Sequence, residues 1–182
     1  RAAILMLGTG SAFPAHSYNT CYIVRAGGAS MLVDAGGGNE IVRRLDSAGV
    51  NPGSLDAFMV THPHTDHILG AVWVVRSLIN LARSGKLSAP IPFYGNESVV
   101  EALTEICRLP LLPSHFAMLT DVLDMHTVAP GDTAMLGTAR ITFVDCASEG
   151  VEQTGFKVTL PSGECLAFLG DESLTPRNID AV

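Results

Sequence analysis

The sequence predicts an α/β fold with mixed sheets, and three observations carry that expectation. Apolar, strand-like runs alternate with amphipathic helical stretches along the chain. Two β-branched runs, TCYIVRA and SMLVDAG, flank Gly27-Gly28, the signature of a tight hairpin, so part of the sheet is antiparallel. The stretch THPHTDHILG at 61–70 holds three of the six histidines and stands between an apolar strand and an apolar helix.

The elements follow in order. AILML is a short continuous apolar strand, and GTGSAFP after it is a loop. The Gly27-Gly28 hairpin comes next. GGGNEIVRRLDSAG reads as a helix with Ile41, Val42 and Leu45 on one face and Gly49 as its stop. LDAFMVTH is a strand that runs into the histidine cluster. Beyond the cluster, Ile68, Leu69, Val72, Val75, Leu78, Ile79 and Ala82 recur at helical spacing, and Gly85 ends that helix. IPFYG is a strand and ESVVEALTEICRL a further helix, whereas the prolines of LPLLPSHFAML argue against any regular element. ARITFVDCA, GFKVTLP and ECLAFLGD close the chain as strands, the last two joined by the turn Pro161-Ser162-Gly163.

A chain of 182 residues with 47% hydrophobic residues supports one domain, 1–182, with a substantial core. No apolar run reaches the roughly 20 residues of a membrane span, and no membrane partner is expected. Net charge is −7, the opposite of what wholesale nucleic-acid binding favours. Cys21, Cys107, Cys146 and Cys165 form no CxxC pair and read as reduced thiols, which suggests a cytoplasmic protein.

The cluster itself reads as chemistry. On an extended segment alternate residues share a face, so His62 and His64 point the same way. Asp66 can follow them, and His67, at a helix start, reaches in from another direction. Three imidazoles and a carboxylate at one strand end suit Zn²⁺, and Mn²⁺ or iron also fits such a set.

THPHTDHILG resembles the metal-binding signature of the metallo-β-lactamase superfamily. LGTGSAFP at 7–14 and LVDAGGG at 32–38 resemble its ribonuclease Z-like, small phosphodiesterase branch. IPFYG at 91–95 and FLGDES at 168–173 match later landmarks in the same order. The resemblance implies a four-layer αββα sandwich with two metals at one edge. His62 and His64 would hold the first metal, Asp66 and His67 the second, and Asp171 would bridge them. Asp34 reads either as the carboxylate that orients a ligand imidazole or as a simple turn residue.

Two departures from that pattern stand out. The histidine that the family places before a GY or GF dipeptide is missing from FVDCASEGVEQTGFKV; Glu149 takes its place by spacing, with Asp145 and Cys146 as alternatives. The family pattern also extends beyond Val182, with strands, a helix and a final histidine ligand, none of which His16, His115 or His126 replaces. Against that pattern the domain lacks its C-terminal part: either this sequence belongs to a longer chain or a partner chain completes the fold. A sheet face left open in this way favours association, expected as a homodimer.

The resemblance implies a metal-dependent hydrolase that attacks with a metal-bound hydroxide, with Asp66 orienting the nucleophile or taking its proton. The expected substrate is a small-molecule or nucleotide phosphodiester. Hydrolysis of a lactone, thioester or β-lactam, tRNA 3′ processing, and a metal-binding protein without turnover remain as alternatives.

Overall fold

A computed structural model describes residues 1–173 and 175–179. Its first sheet contains β1 (Ala3–Gly8), β2 (Cys21–Ala26), β3 (Ala29–Val33), β4 (Ala57–Met59), β5 (Ile91–Gly95) and β6 (Leu123–Thr127), in that spatial order. The pairings from β1 to β3 are antiparallel, and those from β3 to β6 are parallel. The second sheet is antiparallel, in the order β10 (Cys165–Phe168), β9 (Thr154–Thr159), β8 (Ala139–Asp145), β7 (Thr133–Leu136). The mixed character expected from the hairpin is therefore present.

Gly27 and Gly28 adopt φ of +61° and +84°, the left-handed pair that suits a two-residue hairpin. The Gly27 carbonyl also accepts the Thr138 amide at 3.0 Å, which pins this hairpin to the β7–β8 turn. The inner strands β4 and β5 are apolar on both faces because both are covered, whereas the edge strand β6 exposes Asp124 and His126. Leu32, Phe58, Val60 and Phe93 face the helices, while Met31, Val33, Ala57 and Met59 meet Phe143, Phe156 and Val158 between the sheets.

The helical layer comprises α1 (Glu40–Ser47), α2 (Thr65–Ile68), α3 (Ala71–Arg83) and α4 (Glu97–Arg108), with the single turns α5 (Pro113–Phe116) and α6 (Leu119–Val122). Helix α1 buries Ile41 and Leu45, but Val42 is 42% exposed, since it lies about 100° around the helix from Ile41. The continuous helix expected from Ile68 is broken at Leu69–Gly70. There the Gly70 amide donates to the Gly36 carbonyl at 2.8 Å, and a Cβ at 70 would lie 1.9 Å from the Ala35 oxygen. The buried stripe of α3 is accordingly Ala71, Val74, Val75, Leu78 and Ile79, with Leu69 37% exposed.

The proline-rich stretch, expected to be irregular, contains the single turn α5, and α6 begins at its last residue. Pro113 occupies a first helical position, where its missing N–H leaves no hydrogen bond unmade. His126 lies within β6, against Asp124 and the Tyr94 ring. Of the four expected layers, the described residues form the helical layer and the two sheets. Beyond β10 they end in the short α7 (Pro176–Ile179), which Asn178 ties to the Cys146 carbonyl at the end of β8.

Candidate metal centre

The site is assembled where strands of both sheets end. Asp34 follows β3 with φ +57°, a left-handed conformation that a non-glycine residue holds only when its surroundings enforce it. Here the Thr61 amide donates to Asp34 Oδ1 at 2.8 Å, and the Thr61 hydroxyl lies 3.0 Å from Oδ2. The Asp34 amide in turn donates to the Met59 carbonyl at 2.8 Å. Asp34 is therefore more than a turn residue: its Oδ2 accepts from His67 Nδ1 at 2.8 Å.

The same network sets the histidine tautomers. A carboxylate only accepts, so Thr61 spends its single proton on Asp34. The Thr61 oxygen then accepts from His62 Nδ1 at 2.9 Å, which leaves the lone pair of His62 on Nε2. That Nε2 is fully buried and, among the described residues, has no hydrogen-bond partner. An unpaired buried polar atom carries a desolvation cost of about 1–3 kcal/mol. A cation beside it removes that cost.

Asp171, in the turn after β10, supplies the third direction. Its Oδ2 lies 3.2 Å from His67 Nε2 and 4.0 Å from His62 Nε2. Among the described residues, the His, Cys, Asp and Glu side chains whose donor atoms converge as a metal-binding group are His62, His67 and Asp171, all within 4.8 Å of one another. The group consists of two buried nitrogens and a half-exposed carboxylate. Borderline divalent cations suit that donor set.

The two buried imidazoles are tuned in opposite directions. Burial, reinforced by the charge of His67, pushes His62 down to about 4, so it stays neutral. Burial also works against the charged form of His67. The hydrogen bond and charge of Asp34 outweigh it, with Asp171 and Asp66 adding to them, and the group rises to about 9. Without a cation, protonated His67 is itself the positive charge among these carboxylates.

The other expected ligands flank this group. The His64 ring packs edge-on against His62 with centroids 4.6 Å apart, and Asp66 Oδ2 lies 3.4 Å from His67 Nε2. Glu149 is not brought to the group; it is exposed, in the loop between β8 and β9. Its alternatives are engaged elsewhere. Asp145 accepts the Ala147 amide at 2.8 Å, and Cys146 is buried beside Val144 and Leu169 with its thiol pushed up to about 12 by burial.

Two residues that the sequence did not single out belong to the site. Thr61 directly precedes His62, and a hydroxyl at that place was the available signal. Gln153 accepts the Asp171 amide at 3.2 Å, and nothing local in the sequence marks it.

Comparison with known proteins adds the family context. The family described as Anti-Pycsar protein Apyc1 matches residues 2–182. The ribonuclease Z of Mycolicibacterium gilvum is 34% identical over 108 residues, which cover 58% of this chain and 36% of that protein. In structure, the metallo-beta-lactamase fold protein YhfI from Bacillus subtilis aligns with a TM-score of 0.76 and 20% identity, over 98% of this chain and 67% of its own. The short form of human tRNase Z aligns with a TM-score of 0.74 and 18% identity, over 98% and 72%. Matches to curated ribonucleases Z span between a quarter and a half of those proteins' lengths.

Proposed function

The chain belongs to the Anti-Pycsar protein Apyc1 family, with the metallo-β-lactamase fold and ribonuclease Z-like sequence, and on that premise we propose that it acts in a divalent-metal-dependent hydrolase of phosphodiesters. One observation carries the reading above the others: buried His62 Nε2, unpartnered, faces the position shared with His67 Nε2 and Asp171.

A bound divalent cation, Zn²⁺ by donor type and Mn²⁺ or iron as alternatives, would activate water and offset the charge that develops on the phosphoryl oxygens. The chain's own contribution is positional. Asp34 and Thr61 fix both imidazoles with their Nε2 atoms toward the cation. His64 and Asp66, beside the convergent group, would extend it to a second cation. Asp66, whose Oδ2 lies 3.4 Å from His67 Nε2, would orient an attacking water and take its proton. Asp171, half exposed, would hold the cation from the solvent side.

The substrate side favours a small or nucleotide phosphodiester, because the chain carries a net charge of −7 and offers no basic arm for a long polyanion. The similarity to ribonucleases Z supports a second reading, cleavage at tRNA 3′ ends. A homodimer is the expected assembly, and exposed Leu69, Trp73, Leu109 and Leu112 are apolar surface suited to it. Among the described residues no helix is long and apolar enough to cross a membrane. Four free cysteines fit a reducing, cytoplasmic setting.

The test is hydrolysis of bis(p-nitrophenyl) phosphate and of a precursor tRNA by protein supplied with Zn²⁺ or Mn²⁺. Turnover of the small ester is expected to fall about 100-fold or more in His67→Ala and in Asp171→Ala, equivalent to the several kcal/mol that a metal contributes. Chelation should abolish it and metal should restore it. Equal rates in the wild type and both variants would exclude the site. Cleavage of the precursor tRNA alone would transfer the assignment to the second reading.

A further inference from the structure

The β8–β9 loop contains no histidine, yet its last residue reaches the site by another route. Gln153 is buried, and its Oε1 accepts the backbone amide of Asp171 at 3.2 Å. Its backbone is held on both sides. The Cys146 amide donates to the Gln153 carbonyl at 3.2 Å, and the adjacent Thr154 amide donates to the Thr61 carbonyl at 2.9 Å. Thr61 immediately precedes His62, so this last bond joins the strand end that carries His62 to the strand that carries Gln153. Gly170 completes the arrangement. It turns at φ +60°, and a Cβ there would stand 2.7 Å from Gln153 Oε1. The turn that delivers Asp171 therefore leaves room for the glutamine amide and for little else.

We infer that Gln153 is the positioning residue that presents Asp171 to the imidazoles of His62 and His67, and so to a divalent cation. The physical need is clear. Asp171 lies in a turn and is half exposed, whereas both histidines are locked into the buried Asp34–Thr61 network. A flexible third ligand would lose ordering entropy each time a cation bound, and a fixed one does not. Glutamine also supplies an acceptor without charge; a carboxylate at 153 would repel Asp171 and compete for the cation. The inference rests on the metal-site reading above and names what sets the geometry of its most exposed ligand.

A double-mutant cycle read by zinc affinity tests it, with Zn²⁺ titrated against a chromophoric chelator. Gln153→Leu keeps an unbranched Cβ and removes the acceptor. It is expected to weaken Zn²⁺ binding about tenfold, the lower end of what partners of metal ligands contribute. In an Asp171→Ala background the same change should have no further effect, because the residue it positions is gone. Equal losses in both backgrounds would mean a general structural role, and no loss in either would remove the role altogether; both overturn the inference. Wild-type protein that takes up no Zn²⁺ would overturn the metal centre itself, a distinct outcome. Crystal structures of the zinc-soaked wild type and Gln153→Leu give a second measurement. The Asp171 carboxylate is expected to leave the imidazole pair in the variant, and an unmoved carboxylate would refute the inference.

Discussion

The Thr61 hydroxyl has one proton, and Asp34, as a carboxylate, can only receive it. That constraint turns His62 so that Nε2 is the free base. Thr61→Val, similar in shape, is therefore expected to weaken Zn²⁺ binding about tenfold, and Thr61→Ser to retain it, in a competition titration. Asp34 acts on the other imidazole. In metal-free protein His67 rises from 6.5 to about 9, chiefly because the Asp34 hydrogen bond and charge outweigh burial. A raised pKa stabilises the fold fully below the unfolded value and loses that contribution as pH climbs through the folded one. Urea unfolding of chelator-treated protein should thus show the advantage of wild type over Asp34→Asn at pH 6 shrinking between pH 6.5 and 9. A constant difference over that range would rule out the ion pair as its source.

At the scale of elements, the site depends on how closely the segment after β3 approaches the start of α3. Gly70 donates to Gly36, and a Cβ there would collide with the Ala35 carbonyl, next to Asp34. Gly70→Ala is expected to cost about 3 kcal/mol in denaturant unfolding, at the upper end of overpacking, because the neighbour is backbone and cannot rotate aside. It should also weaken metal binding, since any relief moves Asp34. The periodicity of residues 68–82 predicted a helix correctly in kind, but not its break. Apolar spacing records which residues can face a core and is silent on a glycine needed for contact with a strand end far away in sequence. The same reasoning covers α5, where prolines suggested irregularity but Pro113 starts a helical turn.

For the whole molecule, two cores divide the chain, one between helices and sheet and one between the sheets. Cys21, Cys107 and Cys146 are buried in the packed interior with their thiols pushed up to about 12 by burial, while Cys165 is exposed on β10. Iodoacetamide at pH 8 is expected to label Cys165 alone in native protein and all four cysteines in urea, as read by mass spectrometry; early labelling of Cys146 would contradict the packing at the end of β8. The sequence by itself determined the layered α/β class and the Gly27-Gly28 hairpin, and it marked the 61–70 cluster as the candidate metal-binding stretch. Each of these is written in local spacing, which alternation, turn chemistry and ligand type make readable within about ten residues. Only the tertiary structure showed that His62 converges with His67 rather than His64 on Asp171, that Thr61 bonds to His62 and Gln153 to the Asp171 amide, and that Glu149 is not brought to the group. His67 and Asp171 are 104 residues apart and belong to different sheets' ends, and Gln153 and Asp171 are 18 apart; the hydrogen bonds that join them are encoded by no local pattern.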